Sequence, residues 1–354
     1  MDHPDRRRRL AARLDELQAE AFLVTHLPNV RYLTGFSGSN AQLLVTSSDG
    51  VLFTDGRYDQ QAAHEVPDIP REIYSGEFGP AFARACERFG VSRVAFESAA
   101  VSHRTYSRLA DGVELVPTEE EVERLRCTKS PDEVASLDAA QEIADQAFQI
   151  IVGKLAEGMT ERQVALELDF AMRQAAADGV AFDTIVAFGE NAAEPHHHPG
   201  PRPLTRGDIV KLDFGCVVDG YHSDMTRTVA FGPPESRLEE IHGIVRRAQE
   251  AGIDALHAGA VAGDVDAAAR TVIADAGYGK HYVHSLGHGV GLEIHEGPIL
   301  RAGSRAVVPE RAVVTVEPGV YVAGLGGVRI EDMVEVTAAG CRAIPRTPRD
   351  LLVL

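Results

Sequence analysis

A hairpin is the clearest element that the pattern of apolar and polar positions predicts. Residues 209–214 form an apolar strand, Asp219-Gly220 is a strong two-residue turn signal, and residues 225–231 form the return strand. A two-residue loop at this turn places Asp224 on the same face as Asp213, with the two carboxylates about 5–8 Å apart. Two ionised acids that close repel each other inside a fold, so we expect a positive group between them.

Helices and strands alternate over the first 116 residues, which indicates a small α/β domain. The predicted helices cover residues 5–20, 59–65, 78–89 and 102–109. The predicted strands cover residues 21–24, 41–46, 51–54, 93–96 and 113–116, and a turn at residues 47–50 joins two of them as a hairpin. A charged bridge at residues 117–126, predicted as a short helix or a linker, leads to the second domain.

The second domain opens with two helices that carry clear start signals. A capping box runs from Ser130 to Glu133 with proline in the first turn, and a second box pairs Thr160 with Gln163. Two more helices cover residues 237–257 and 264–276, and strands cover residues 313–316, 320–322 and 328–336. This domain is predicted as α+β, with helices backing a largely antiparallel sheet. We expect domains at residues 1–120 and 121–354.

Composition narrows the functional classes. The 354 residues are 44% hydrophobic and 25% charged, which is typical of a globular protein of two domains. The formal net charge of −18 argues against nucleic acid and anionic membranes as partners. No run approaches the roughly 18 apolar residues of a membrane span, and the N-terminus does not resemble a signal peptide. Scattered cysteines without a Cys-x-x-Cys pair predict a reduced, cytoplasmic protein.

Two further acids stand in apolar strand contexts. Glu317 follows the apolar run at residues 312–316, and Glu331 follows Val328 and Ile330 on what reads as the neighbouring strand of a second hairpin. A salt bridge explains any one such acid, but it explains four of them poorly. Two divalent ions about 3.5–4 Å apart would neutralise the four charges of both hairpins.

Histidines offer further ligands and substrate contacts. The glycine-flanked His288 completes a set of oxygen ligands with a single imidazole, which favours Mn²⁺, Co²⁺, Fe²⁺ or a catalytic Zn²⁺. The string at residues 196–198 is either a solvated loop or contributes one histidine to the site. His284 and His295 flank His288, and each alone is more often a hydrogen-bonded core or loop residue.

Two basic residues lie two positions before an acid and so share its strand face. Arg329 precedes Glu331, and its best role is a hydrogen bond to a ligating carboxylate; a surface arginine is the alternative. Lys211 precedes Asp213, and we expect its side chain to snorkel or to pair with an acid rather than to face the site.

Five ordered motifs between about residues 125 and 340 resemble the Xaa-Pro peptidases, prolidase and aminopeptidase P. The motifs are Gly-Asp-Ile-Val-Lys-Leu-Asp-Phe-Gly, Ser-Asp-Met-Thr-Arg-Thr, His-Ser-Leu-Gly-His-Gly-Val-Gly-Leu-Glu-Ile-His-Glu, Thr-Val-Glu-Pro-Gly-Val-Tyr and Val-Arg-Ile-Glu-Asp. The resemblance implies a pita-bread catalytic domain, a fold shared with methionine aminopeptidase and creatinase. The first domain more loosely resembles the creatinase-type N-terminal domain, through residues 29–36 and 55–58.

Roles for single residues follow from the resemblance. It implies a dinuclear metal site formed by five ligands: Asp213 on one ion, Asp224 and Glu331 bridging both, and His288 and Glu317 on the other. Glu317 would also move the proton of the attacking water. The remaining implied site residues are His196 beside the scissile bond, His284 in the proline-side pocket, His295 on the peptide carbonyl and Arg329 in support of the bridging carboxylates.

The implied activity is that of a metallo-exopeptidase. A hydroxide held between two divalent ions, most simply Mn²⁺ with Co²⁺, Zn²⁺ or Fe²⁺ as alternatives, would attack Xaa-Pro bonds of dipeptides or short peptides. The resemblance also implies a homodimer. Dipeptidase and aminopeptidase activity both stay open, as do a non-proline-specific aminopeptidase, a creatinase-like hydrolase and a metal-free binding scaffold. The presence of all five ligands weighs against the last two.

Overall fold

A computed structural model describes residues 1–110 and 112–354. The chain divides into two compact units, Met1–Arg126 and Cys127–Leu354. Within the described residues, no helix combines the length and the apolar composition that crossing a membrane requires.

The first unit is a mixed α/β fold. Its helices are α1 His3–Ala11, α2 Leu27–Thr34, α3 Asp59–Glu65, α4 Gly79–Phe89, α5 His103–Leu109 and α6 Glu121–Arg126. Its strands are β1 Ala21–Val24, β2 Ala41–Thr46, β3 Gly50–Asp55, β4 Arg71–Tyr74, β5 Arg93–Glu97 and β6 Glu114–Thr118. They form one sheet in the order β4-β3-β2-β1-β5-β6, antiparallel at β1–β2 and β2–β3 and parallel elsewhere.

The predicted first helix, residues 5–20, is wrong in its second half. α1 ends at Ala11 because the backbone N–H groups of Arg13 and Leu14 bond to carbonyls three residues back, which tightens the turn. α2 and β4 were not predicted. The predicted hairpin over residues 47–50 is confirmed, since β2 and β3 pair as neighbours across it.

The second unit is α+β. Its helices are α7 Pro131–Lys154, α8 Glu161–Gln174, α9 Ser236–Asp254 and α10 Ala262–Asp275, with 3₁₀ turns at Gly189–Ala193 and Gly279–His281. Its strands are β7 Gly179–Val180, β8 Ile185–Phe188, β9 Ile209–Phe214, β10 Cys216–Val218, β11 Tyr221–His222, β12 Met225–Ala230, β13 Gly287–Gly289, β14 Glu296–Leu300, β15 Val313–Val316, β16 Gly319–Val322, β17 Gly326–Arg329, β18 Asp332–Thr337 and β19 Gly340–Ala343.

The strand pairs of this unit are antiparallel, as predicted. The sheets run in the orders β11-β10-β7, β12-β9-β8, β14-β13-β15-β18-β19 and β16-β17. α7 and α8 share a buried apolar cluster with β8, β9 and β12, whereas α9 and α10 share one with β15 to β18. Both predicted capping boxes are present at the starts of α7 and α8. Two helix pairs therefore back the strands that carry the acids.

Candidate metal centre

The β9–β12 hairpin brings Asp213 and Asp224 to one end of the sheet. Asp213 is the fifth residue of β9 and pairs with Thr226 on β12; Asp224 directly precedes β12. Asp219 and Gly220 have φ values of 51° and 79°, and Val218 pairs with Tyr221 around them. Positive φ at both turn residues is the type I′ geometry, which keeps the strands in register. The predicted two-residue turn is therefore confirmed.

Glu317 and Glu331 face each other at a break in two paired strands. β15 pairs with β18 up to Val316 and Asp332, and β16 pairs with β17 from Gly319 and Arg329. The continuous strand predicted over residues 328–336 is thus wrong, because the chain leaves one ladder and enters another at this point. The backbone N–H of Glu331 bonds to the carbonyl of Thr226 at 3.1 Å, which ties this break to the first hairpin.

His288 lies on β13 between two glycines that allow close backbone approach. A Cβ on Gly287 would lie 2.0 Å from the carbonyl oxygen of Thr315, and one on Gly289 would lie 2.2 Å from that of Gly297. These are impossible contacts for any side chain, so the glycines let β13 fit between its neighbours β14 and β15. The close packing predicted from these glycines is confirmed.

The five predicted ligands line a single cleft. Ligand atoms of Asp224, His288 and Glu331 all lie within 4.8 Å of one another. His288 Nε2 is 3.6 Å from Asp224 Oδ2 and 3.4 Å from Glu317 Oε1. Asp213, on β9, lines the same cleft. The fold therefore gathers side chains that are more than one hundred residues apart in the chain.

The raised pKa values of the buried acids indicate a site for cations. Burial raises the pKa of Asp224 well above its ordinary value, and the neighbouring Glu331 and Asp213 raise it further. Burial and the charge of Glu317 likewise raise the pKa of Glu331. Burial raises the pKa of Glu317 to about 7. Burial thus favours the protonated forms of these acids, and cations between them would favour the carboxylates.

A buried oxygen without a partner points the same way. Asp213 Oδ1 has no hydrogen-bond partner among the described residues, whereas its Oδ2 accepts a hydrogen bond from Arg329 Nη2. His288 Nδ1 lies 3.0 Å from the carbonyl oxygen of Gly289, so this nitrogen donates and Nε2 offers its lone pair to the cleft. Burial lowers the pKa of His288 to about 4, which keeps the ring neutral as a ligand must be. The residues therefore fit two divalent ions.

Hydrogen-bond donors outside the ligand set orient the acids. The hydroxyl of Thr226 donates to Glu331 Oε2 at 2.6 Å, and the hydroxyl of Thr315 donates to Glu317 Oε1 at 3.2 Å. Arg329 donates through Nε to the hydroxyl of Thr226 at 3.0 Å. Arg329 is buried and donates directly to Asp213, a proposed ligand, and it reaches Glu331 through Thr226, so its contacts agree with the expected hydrogen bond to a ligating carboxylate and not with a surface arginine.

Sequence reasoning missed three members of this network. Thr226 and Thr315 each lie two positions from a ligand acid, so the same-face rule that singled out Arg329 could have found them. Tyr321 appears in the fourth motif, and its hydroxyl is 2.9 Å from both Arg329 Nη1 and His284 Nε2. Only the tertiary contacts give this tyrosine a role.

The cleft has a volume of about 510 Å³ and is lined by all three histidines that the sequence proposed. His196 and His295 are exposed, and neither has a hydrogen-bond partner among the described residues, so their nitrogens are open to a ligand. The ring centroid of His295 is 4.4 Å from that of His288. His284 differs, because Nδ1 bonds to the Ser285 carbonyl at 2.8 Å and Nε2 to Tyr321.

Apolar and acidic side chains complete the lining. Phe182, Ile294 and Ile299 contribute apolar surface, and Asp183 is an acid outside the ligand set. None of these was predicted from the sequence, although Ile294 lies inside the third motif, directly before His295. The lining thus combines apolar side chains with acids and histidines, as that of a small-molecule site commonly does.

Lys211 does not snorkel, which corrects the prediction. Its side chain is fully buried, and Nζ donates to backbone carbonyls rather than to an acid. Burial lowers the pKa of Lys211 to about 6, whereas hydrogen bonds to carbonyl oxygens favour the ammonium form.

A mixed fold whose cleft gathers four acids and a neutral imidazole defines a metal-dependent hydrolase. The profile of metallopeptidase family M24 matches residues 135–338, and that of the Creatinase/Prolidase N-terminal domain matches residues 6–128. An uncharacterized peptidase of Bacillus subtilis (strain 168) is 40% identical over 342 residues, which cover 96% of this chain and 97% of that protein. The chain belongs to metallopeptidase family M24.

Solved structures agree with this assignment. An Xaa-Pro dipeptidase from Bacillus anthracis superposes with a TM-score of 0.97 at 37% identity and full coverage of both chains. An X-Pro aminopeptidase from Thermotoga maritima MSB8 superposes with a TM-score of 0.90 at 35% identity, covering 97% of this chain and 100% of that one. The predicted family and the predicted fold, a pita-bread catalytic domain after a smaller α/β domain, are confirmed.

Proposed function

We propose that this protein hydrolyses Xaa-Pro peptide bonds with two divalent metal ions held by five side chains. The proposed ligands are Asp213, Asp224, His288, Glu317 and Glu331. The observation that carries the proposal is their convergence in one cleft, beside histidines with open nitrogens. The dipeptidase and aminopeptidase names of the structural neighbours support the substrate class. When bound, the ions supply Lewis acidity toward the peptide carbonyl and toward water.

Side chains of the cleft would transfer the proton, stabilise the developing charge and bind the substrate. Glu317, held by Thr315, accepts the proton of the attacking water and returns it to the leaving nitrogen. His295 donates to the peptide oxygen as negative charge develops there, and His196 contacts the leaving side of the bond. His284 forms a wall of the proline-side pocket, because both of its nitrogens already bond to the protein. Its neutral state agrees with this role, since burial lowers its pKa to about 4.

The apolar lining supports a preference for proline. An Xaa-Pro nitrogen carries no N–H, so the site needs no acceptor there and gains from apolar contact with the ring. The cleft provides such contact through Ile294 and Ile299.

The experiment is a peptide series with metal-loaded protein. Hydrolysis of Xaa-Pro dipeptides and of Xaa-Pro-Yaa peptides, with the matched Xaa-Ala peptides as controls, defines both bond preference and substrate length. Equal cleavage of Xaa-Ala would indicate a non-proline-specific aminopeptidase. A protein that contains no metal and gains no activity from added Mn²⁺ would overturn the proposal.

The metal, the location and the assembly complete the proposal. We infer Mn²⁺ as the native ion, since an oxygen-rich set with one imidazole suits it, and metal analysis after purification without chelator tests this.

The four cysteines are free thiols, which suits a reducing compartment and supports a cytoplasmic location, testable by cell fractionation. The homodimer rests on the family resemblance alone, and sedimentation equilibrium tests it.

A further inference from the structure

The segment of residues 192–200, called here the histidine segment, begins in the 3₁₀ turn Gly189–Ala193, and its remainder carries His196 into the cleft in irregular backbone. Pro195 and Pro199 flank the three histidines and have no N–H to donate. Among the described residues, no backbone-to-backbone hydrogen bond involves positions 196–199. A segment with this backbone needs other anchors if His196 is to keep one position.

Lys211 provides the first anchor. Its Nζ donates to the carbonyl oxygens of Ala192 at 3.2 Å, Glu194 at 2.5 Å and Pro195 at 3.3 Å. These carbonyls belong to the residues that lead directly into His196. The ammonium thus gathers three backbone acceptors at the point where the segment enters the cleft.

Glu161 and His197 provide the second anchor on the far side of His196. Glu161 Oε2 lies 2.9 Å from His197 Nε2 and accepts from the Gly200 backbone N–H at 3.0 Å. His197 Nδ1 lies 2.7 Å from Glu194 Oε2. Both ring nitrogens of His197 are therefore engaged by carboxylates, one of which belongs to Glu194 in the same segment.

Lys211 connects this segment to the metal centre. It lies two positions before Asp213 on β9, so both side chains extend from one strand face. Its Nζ also lies 5.3 Å from the ring centroid of Tyr321, whose hydroxyl bonds to Arg329. Arg329 in turn donates to the Pro195 carbonyl at 3.2 Å and to Asp213. Strand β9, which carries the proposed ligand Asp213, therefore also anchors the backbone that precedes His196 through Lys211.

We propose that Lys211 is a positioning residue, which together with the Glu161–His197 pair fixes His196 at a set distance from the metal ligands. The role in turnover rests on the function proposed above, whereas the anchoring itself does not. Lys211 donates its hydrogen bonds to the segment and not to a ligand carboxylate. Its loss is therefore expected to move His196 and to leave the metal content unchanged.

Hydrogen exchange of metal-free protein tests the anchoring directly. Lys211→Met keeps a side chain of similar length and removes the donors, so the hydrogen-bonded amides of Glu194 and Gly200 should exchange faster than in wild type. Lys154→Met is the matched control, because Lys154 forms an exposed ion pair with Glu167 outside the cleft. Unchanged exchange at both amides in Lys211→Met would overturn the proposal.

A double-mutant cycle with His196→Ala tests the path of action. Displacing a reacting group by about 1 Å can cost about 100-fold in rate, so Lys211→Met should lower kcat/KM by about that factor. In the His196→Ala background the same substitution should have little further effect, because the residue through which it acts is gone. Equal losses in both backgrounds would show that Lys211 does not act through His196, and so would a loss of bound metal.

A second variant covers the case in which Lys211→Met does not fold. Lys211→Gln has a shorter side chain but keeps two amide N–H donors. Its amide exchange rates and its kcat/KM should therefore lie between those of wild type and Lys211→Met. If Lys211→Met does not fold, the kcat/KM of Lys211→Gln should lie between those of wild type and His196→Ala. A Gln variant that matches wild type in both measurements would contradict the need for a three-carbonyl anchor. If wild-type protein cleaves no Xaa-Pro peptide, the proposed function fails, and the exchange measurement still decides the anchoring.

Discussion

Single side chains around the acids control how well the centre is formed. The hydroxyl of Thr226 stands between Arg329 and Glu331, accepting from one and donating to the other. Such outer partners fix the orientation of a ligand and raise its basicity.

We expect Thr226→Val to weaken metal binding by about 10- to 100-fold, because valine has the same shape but cannot bridge Arg329 and Glu331. Chelator competition with Mn²⁺ measures the change. Thr271→Val, at an exposed position on α10, is the matched control and should bind metal as wild type does. Equal metal affinity in Thr226→Val and Thr271→Val would contradict the expected role.

His242 on α9 gives the fold a pH dependence independent of the metal centre. Burial lowers its pKa to about 4, and Arg246 and Arg227 lower it further while Asp350 opposes them. The pKa of His242 in the folded protein is below its ordinary value of 6.5, so on acidification this histidine is protonated in the unfolded chain at a higher pH than in the folded one. The free energy of unfolding therefore falls as the pH falls from about 6.5 to 4.

We expect His242→Leu to lose less stability than wild type on acidification, by about 3 kcal/mol at pH 4. Urea unfolding of metal-free protein between pH 4 and 7.5 measures the difference. His257→Leu removes an exposed histidine and serves as the control. If both variants follow the same pH curve, His242 is not the group responsible.

At the scale of elements, the close approach of β13 and β15 decides where His288 lies. The approach depends on Gly287, where any Cβ meets the backbone of Thr315. Backbone atoms cannot rotate away as a flexible side chain can, so a substitution must separate the strands.

We therefore expect Gly287→Ala to lower the free energy of unfolding by about 1–3 kcal/mol and to weaken metal binding. Gly153→Ala is the matched control, because its Cβ would meet open space on the helix α7. That variant should be unchanged, or more stable by about 0.5–1 kcal/mol. Equal unfolding midpoints for the two variants would show that β13 can shift at no cost.

At the scale of the whole molecule, metal binding should stabilise one unit. The proposed ligands all lie in Cys127–Leu354, and a ligand that binds only the folded state adds about 2.7 kcal/mol at 100 times its dissociation constant. Hydrogen exchange with and without Mn²⁺ should show added protection in that unit. Glu331→Gln should show none, and an equal gain across Met1–Arg126 would contradict a site confined to the second unit.

Local chemistry explains what the sequence by itself determined. The turn at Asp219-Gly220 sets the register of the first hairpin, because a type I′ loop needs positive φ at both positions. Capping boxes set the starts of α7 and α8. Acids in apolar strands and a glycine-flanked histidine, together with the family motifs, singled out the four acids and one histidine that line the cleft as proposed ligands. These features depend on residues within a few positions of one another.

Only the tertiary structure decided the rest. The break at Glu331 arises because its backbone bonds to Thr226, and the partner of Arg329 is Asp213, 116 positions away. Lys211, expected to snorkel or to pair with an acid, is instead a buried anchor because the carbonyls of Ala192, Glu194 and Pro195 surround its Nζ. Such contacts join distant parts of the chain, and their free energy depends on burial and geometry that no local pattern contains.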